Sequence, residues 1–225
     1  MYVKGKVIVI EGLDGSGKGT QTPLLCEFLR QKLGDVRKLS FPCYESESSA
    51  LVKMYLEGKL GKNADDVGPF AASAFYAVDR FASFVTDWKE EYQKGKVFVA
   101  DRYATSNIIY QMSKLETDAA KDEFIRWSED FEYNKLGIPR PDLVIYLDMP
   151  VEISQELMSK RYSGDESKKD IHEKNIGFLK KCRTAAAYAA EKCGWKVINC
   201  AEKGQPLSID EIHKKIIEIV KESIL

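Results

Sequence analysis

Residues 12–21, Gly12-Leu13-Asp14-Gly15-Ser16-Gly17-Lys18-Gly19-Thr20-Gln21, carry the strongest chemical signal in the chain. Their glycines let backbone N–H groups converge on an anion where a helix begins, and the helix dipole adds attraction. Lys18 is then spaced to reach the β- and γ-phosphates of a nucleotide. The order departs from G-x-x-x-x-G-K-[ST], because Gly19 follows the lysine and the hydroxyl comes one residue later, on Thr20. A plain glycine-rich turn is the bland alternative. Four glycines, a lysine and a hydroxyl in this order, between a strand and a helix, argue against it.

A second group lies at Asp101-Arg102-Tyr103, directly after the apolar run 97–100. An aspartate at the carboxyl end of a strand can hold Mg²⁺, and an adjacent arginine can grip a phosphate bidentately. Alone, such a pair is more often a surface ion pair. Beside the loop at Gly12 it becomes a metal and phosphate site. Ser106, Asn107, Tyr110 and Gln111 fall within two helical turns of Arg102, enough to line a nucleotide-sized pocket. Tyr76 and Arg80 lie four apart on one helical face, where a ring and a guanidinium can meet a base. Against that stands a core tyrosine and an arginine paired with Asp79 or Asp101.

These groups need a frame. Apolar runs at 6–10, 36–41, 97–100, 143–147 and 196–199 read as five strands, the first buried on both faces because it does not alternate. Helical patterns at 18–33, 70–94, 118–136, 151–162 and 172–192 separate them, and a last helix starts at Ser208 with Glu211 completing a capping box. Its stripe is Ile209, Ile212, Ile216 and Ile219. The alternation predicts an α/β fold with a five-stranded parallel sheet flanked by helices. Pro23 conflicts with the first helix, removing a bond to Gly19 at a cost of about 3 kcal/mol in an interior position.

Length and composition set the limits. The 225 residues suit one α/β domain spanning 1–225. Lys and Arg number 34 against 35 Asp and Glu, so no global field draws the chain to nucleic acid. The five scattered cysteines form no CxxC pair and suit a reducing compartment. No apolar stretch nears the ~20 residues of a membrane span, and residues 1–4 do not read as a signal peptide, so a cytoplasmic protein is expected.

Taken together, the segments GLDGSGKGTQ (12–21), FPCY (41–44), FYAVDRF (75–81), DRYATSNIIYQ (101–111), PDLVIYLDMPVE (141–152) and 161–183 resemble the thymidylate kinases, nucleoside monophosphate kinases of the P-loop class. The resemblance implies transfer of the γ-phosphoryl group of MgATP to dTMP, giving ADP and dTDP, by a homodimer. It implies that Gly12, Asp14, Gly15, Ser16, Gly17, Lys18, Gly19 and Thr20 cradle ATP. Asp14 would contact the deoxyribose 3′-hydroxyl or the metal, and Arg102 the acceptor phosphate. Tyr76 would stack on thymine, Arg80 would bond its carbonyl edge, and Asn107 would touch the base. Tyr110 would crowd a ribose 2′-hydroxyl, Phe41 and Tyr44 would close the acceptor side, and Ser106 would line it. Asp101 would support Mg²⁺. With Gly19 in place of the usual Ser or Thr, Thr20 or water takes over the hydroxyl's share. The loop also lacks the arginine that one subgroup carries after Asp14, so a cation from the flap is implied, from Arg161, Lys168 or Lys169.

The chemistry asks for little else. A phosphate monoester is already anionic near neutral pH, so no strong base is needed; positioning and charge neutralisation do the work. The charged stretch 163–170 reads as a solvated loop by composition, and as part of a lid at about 161–172 in this company. A kinase for dGMP, dCMP or UMP is the alternative. A GTP-dependent switch is rejected, since Gly137 replaces the aspartate of NKxD in Asn134-Lys135-Leu136-Gly137 and no strand feeds Asp65-Asp66-Val67-Gly68.

Overall fold

The computed structural model describes residues 4–163, 165, 170–173 and 175–225. Strands β1 (Lys6–Gly12), β2 (Val36–Ser40), β3 (Val97–Asp101), β4 (Leu143–Asp148) and β5 (Lys196–Asn199) form one sheet in the order β2-β3-β1-β4-β5. Every pairing is parallel. The chain moves to one side of β1 for β2 and β3, then to the other for β4 and β5. That reversal leaves a crevice beyond the carboxyl ends of β1 and β3, where open α/β sheets bind ligands. Asp101 stands in register with both Ile10 and Ser40. The residues after three strands therefore meet at one edge.

Two layers of helices close the sheet. Ile8 and Ile10 face Leu25 and Leu29 of α1 (Lys18–Leu33) and a buried stripe of the C-terminal helix. Val7 and Val9 face the opposite layer, with Phe98, Tyr103 and a fully buried Trp88. α1 runs unbroken through Pro23, which is exposed along with Gly19, so water can take the orphaned carbonyl. The helical pattern at 70–94 is α3 (Pro69–Ser83), a wider π-helical turn (Phe84–Trp88) and α4 (Lys89–Gln93). The pattern at 118–136 likewise divides into α6 (Asp118–Glu129) and a π turn (Asp130–Lys135).

Several boundaries differ from the sequence reading. A short helix α2 (Ala50–Leu56) and a hairpin of β6 (Ala201–Glu202) and β7 (Gln205–Pro206) were not anticipated. α5 (Thr105–Tyr110) carries the pocket residues after Arg102. After α7 (Val151–Arg161), α8 (Ile176–Cys193) starts four residues later than its apolar pattern suggests, because Asn175 caps it by accepting from the Phe178 N–H. The capping box of α9 (Ile209–Ser223) is present, but Ile209 is 53% exposed and Val220 takes the buried place in the stripe. Among the described residues no helix is long and apolar enough to cross a membrane.

Candidate active site

The loop after β1 is built on close approach. A Cβ on Gly15 would lie 2.4 Å from the carbonyl oxygen of Ser154, and its φ of +79° suits glycine. Gly17, at φ +92°, caps α1. Lys18 is 7% exposed, and its Nζ donates to the Leu13 carbonyl (3.0 Å) and lies 3.5 Å from Asp14. The Ser16 hydroxyl is buried with no hydrogen-bond partner, a donor available inside the loop.

Arg102, immediately after β3, is a non-glycine residue at φ +65°. Its N–H donates to the Ile10 carbonyl (3.2 Å), which holds the turn against β1. A backbone held in the left-handed region costs energy and persists only where the surroundings fix it. Here Glu11 does so. It is fully buried at the end of β1 and accepts from the Tyr103 N–H (3.2 Å), Thr105 Oγ1 (2.6 Å) and Ser106 Oγ (2.9 Å). Burial pushes the Glu11 carboxyl up; Arg102 and these donors pull against that. Glu11 was passed over in the sequence, although a lone acid between an apolar strand and a glycine loop is a usable signal.

The Arg102 guanidinium donates from Nη2 to Asp14 Oδ1 (2.5 Å) and to Tyr110 Oη (3.2 Å), and lies 5.1 Å from the Tyr110 ring centre. Tyr110 Oη donates in turn to Asp14 Oδ2 (3.0 Å). Burial raises the Asp14 carboxyl, but Arg102 and then Lys18 outweigh it and hold the acid far below its ordinary range. For Arg102 burial works downward, and the charge of Asp14 keeps its pKa well above the usual value. Lys18 moves the other way, lowered by burial and then by Arg102. One carboxylate thus serves two cations.

Beyond Arg102 opens a cleft of about 250 Å³. It is lined by Asp14, Phe41, Tyr44, Tyr76, Arg80, Arg102, Ser106, Asn107 and Tyr110, the acceptor residues named from sequence. Arg80 is 2% exposed and engages neither Asp79 nor Asp101. Its Nε donates to Glu132 Oε2 (3.1 Å) and its Nη2 to Oε1. Asn107 Nδ2 donates to the same Glu132 (3.1 Å). Ser106 spends its hydroxyl proton on Glu11. Asp79 accepts instead from the Cys43 N–H (2.8 Å) and Ser48 Oγ (2.6 Å), so α3 fixes the loop that presents Phe41 and Tyr44. Phe41 is buried edge-on against Tyr103 at 5.8 Å; Tyr44 is 47% exposed.

The same cleft is lined by groups the sequence did not single out: Tyr162, Asp170, His172 and Glu173. Burial, then Asp14, pushes the Asp170 carboxyl up to about 6, and burial pushes the His172 imidazole down to about 3. Gln111 also lines it, 1% exposed, with an amide oxygen that meets no donor. Arg161 is exposed at the end of α7, while Lys168 and Lys169 lie outside the described residues.

Asp101 also stands at this edge, its Oδ2 3.7 Å from where a Cβ on Gly19 would sit. Magnesium takes one or two carboxylates, keeps several waters and draws the rest of its shell from phosphates. A single aspartate beside an open position fits that donor set. Thr20, which follows Gly19 directly, is exposed.

A glycine-rich loop with a buried lysine, an arginine at the neighbouring strand end and a cleft opening beyond it are the arrangement of a nucleoside monophosphate kinase of the P-loop class. The thymidylate kinase family model matches residues 10–216. A probable thymidylate kinase of Thermococcus onnurineus is 30% identical, over 97% of this chain and 98% of its own length. The thymidylate kinase of Mycobacterium tuberculosis is 31% identical, over 81% of this chain and 84% of that protein. The solved thymidylate kinase of Candida albicans superposes with a TM-score of 0.67 at 21% identity, covering 97% of this chain and 92% of that one, which supports the fold. The chain belongs to the thymidylate kinase family, and its reaction is phosphoryl transfer from ATP to a nucleoside monophosphate, dTMP.

Proposed function

We propose that residues 12–20 hold MgATP, that the cleft beyond Arg102 holds dTMP, and that the two phosphates meet across Asp14. The observation that carries this is the shared carboxylate: Lys18 on the donor side and Arg102 on the acceptor side lie 3.5 and 2.5 Å from Asp14 Oδ1. Arg102 grips the acceptor phosphate, Lys18 the β- and γ-phosphates, and the cradle's N–H groups spread the remaining charge. Asp101 and the Thr20 hydroxyl would hold Mg²⁺, which neutralises phosphate charge when bound. Arg161, Lys168 or Lys169 brings a further cation to the transferred group.

Tyr76 stacks on the base. Arg80, held by Glu132 through Nε and Nη2, keeps Nη1 for a carbonyl oxygen. The unpartnered Gln111 amide oxygen takes an N–H from the base. Phe41 and Tyr44 close the cleft, with Ser106 and Asn107 along its wall. Tyr110, fixed by Asp14 and Arg102, leaves no room for a 2′-hydroxyl.

The protein acts as a homodimer in the cytoplasm. Phe70, Val78, Phe81 and Val85 are each 38–48% exposed along α3 and the turn that follows it. A row of large apolar groups at helical spacing on a folded surface suits a twofold partner. A complex with dTMP and a non-hydrolysable ATP analogue tests the assignment. The base should lie against Tyr76, the acceptor phosphate on Arg102 and the triphosphate over the 12–20 loop. Sedimentation should give twice the 25.5 kDa chain mass. A base bound outside the cleft, or a monomer, contradicts the reading.

A further inference from the structure

We propose that His172 is a positioning residue of the acceptor cleft: it pins residues 170–173 onto Tyr110 and so sets the wall that faces the acceptor's sugar. The proposal rests on the cleft being the acceptor site. Residues 170–173 form a self-closed turn. Asp170 Oδ1 accepts from the N–H groups of His172 (2.8 Å) and Glu173 (2.9 Å), and Glu173 Oε2 accepts from the Asp170 N–H (3.2 Å). Tyr162 Oη donates to the same glutamate (3.2 Å).

From this turn the His172 ring enters an aromatic box and is 5% exposed. It stacks on Tyr110, with centroids 5.5 Å apart and planes at 18°. It stands at 70° to Tyr55, with centroids 5.4 Å apart, and lies 5.0 Å from Phe178. Such ring pairs contribute beyond their buried area, through geometry.

The polar end of the ring fixes its rotation. Tyr55 Oη lies 3.0 Å from His172 Nε2 and 3.1 Å from the Ala64 carbonyl. Lys114 Nζ donates to the same oxygen (3.1 Å), and the phenol and imidazole share one hydrogen bond whose direction follows the imidazole tautomer. Lys114 is itself anchored on the Val67 carbonyl (2.8 Å). A continuous set of contacts therefore runs from Lys114 through Tyr55 and His172 to Tyr110, whose hydroxyl serves Asp14 and Arg102. Burial keeps the imidazole neutral, so it stacks without bringing a cation among these groups. The loop at 12–20 meets the box only through the Tyr110–Asp14 bond, while the rings themselves stand on the cleft side, and this gives the proposal its direction: the effect falls chiefly on the acceptor rather than on ATP.

His172→Ala should raise KM for the acceptor about tenfold and leave KM for ATP within twofold. His172→Phe keeps a ring but loses the bond to Tyr55, and Tyr55→Phe removes the other end of that bond. Each should raise the acceptor KM about threefold, and the double variant no more than either alone, because groups at two ends of one bond do not add. The assays use whichever monophosphate the wild type prefers, so failure of the dTMP assignment would show separately, in the wild-type profile. An unchanged acceptor KM, equal rises for both substrates, or singles that multiply in the double variant would overturn the proposal. If His172→Ala does not fold, the two phenylalanine variants, which keep the core volume, decide it.

Discussion

Lys18→Ala lowers kcat by about 10³-fold, measured by steady-state formation of ADP at saturating dTMP. Its Nζ is fixed by the Leu13 carbonyl and by Asp14, so the ammonium is in place before charge moves. A preorganised donor aimed at developing charge is worth about 10²–10³ in rate, and this one also carries a full charge. Stability should change far less than rate. Burial works against the lysine's charged form, and Asp14 keeps Arg102 as its counter-ion after the substitution. KM for ATP should rise less than kcat falls, since the loop's backbone cradle and the Ser16 hydroxyl remain. An unchanged rate would remove the phosphate-loop mechanism.

Arg102→Ala should reduce kcat/KM for dTMP by about 10³-fold, the loss of charge-assisted bonds worth roughly 1.5–3 kcal/mol each. Two effects are mixed in that variant, and the backbone separates them. At φ +65° alanine carries the same left-handed strain as arginine, whereas glycine does not. Arg102→Gly should therefore unfold at a higher temperature than Arg102→Ala, by about 1 kcal/mol of stability, while sharing its kinetic defect. Thermal melts and initial rates on the two variants read these separately. If glycine restored activity, the residue's backbone rather than its guanidinium would be what matters.

What could be read without a structure follows from locality. β1 and the loop after it are contiguous, so an apolar run, four glycines and a lysine are visible together. Asp101 and Arg102 were legible because a strand end places its next residues at a known edge. Helix starts were harder: the apolar pattern of α8 reaches back toward His172, but the Asn175 cap decides where the helix begins. The π turn ending at Trp88 left no separate mark, because it keeps the burial rhythm of the helix around it. Ile209 followed the periodic stripe on paper but sits on the first turn, where it faces solvent.

The candidate site shows the same division. Arg80 and Tyr76 announce themselves by helical spacing, but the partner of Arg80 is Glu132, 52 residues away on a segment with nothing local to mark it. The obvious neighbours were misleading: Asp79 holds the loop at Cys43 and Ser48 instead. Glu132 also explains how a fully buried guanidinium is tolerated, since breaking such a pair typically costs about 3–5 kcal/mol. Asp170 ends a stretch that reads as solvated charge by composition, and Glu173 falls inside a helical pattern, yet both line the cleft beside Asp14. The near balance of charge over the whole sequence hid a local arrangement of both signs.

The acceptor profile reads out what the cleft beyond Arg102 selects. Initial rates are measured at fixed MgATP across dTMP, its ribose counterpart, dUMP, UMP, dCMP, dGMP and AMP. dTMP should give the highest kcat/KM, with a marked loss for the ribose counterpart if Tyr110, held by Asp14 and Arg102, faces the sugar's 2′ position as proposed above. A higher kcat/KM for any other monophosphate, or equal use of the ribose and deoxyribose forms, would contradict this reading.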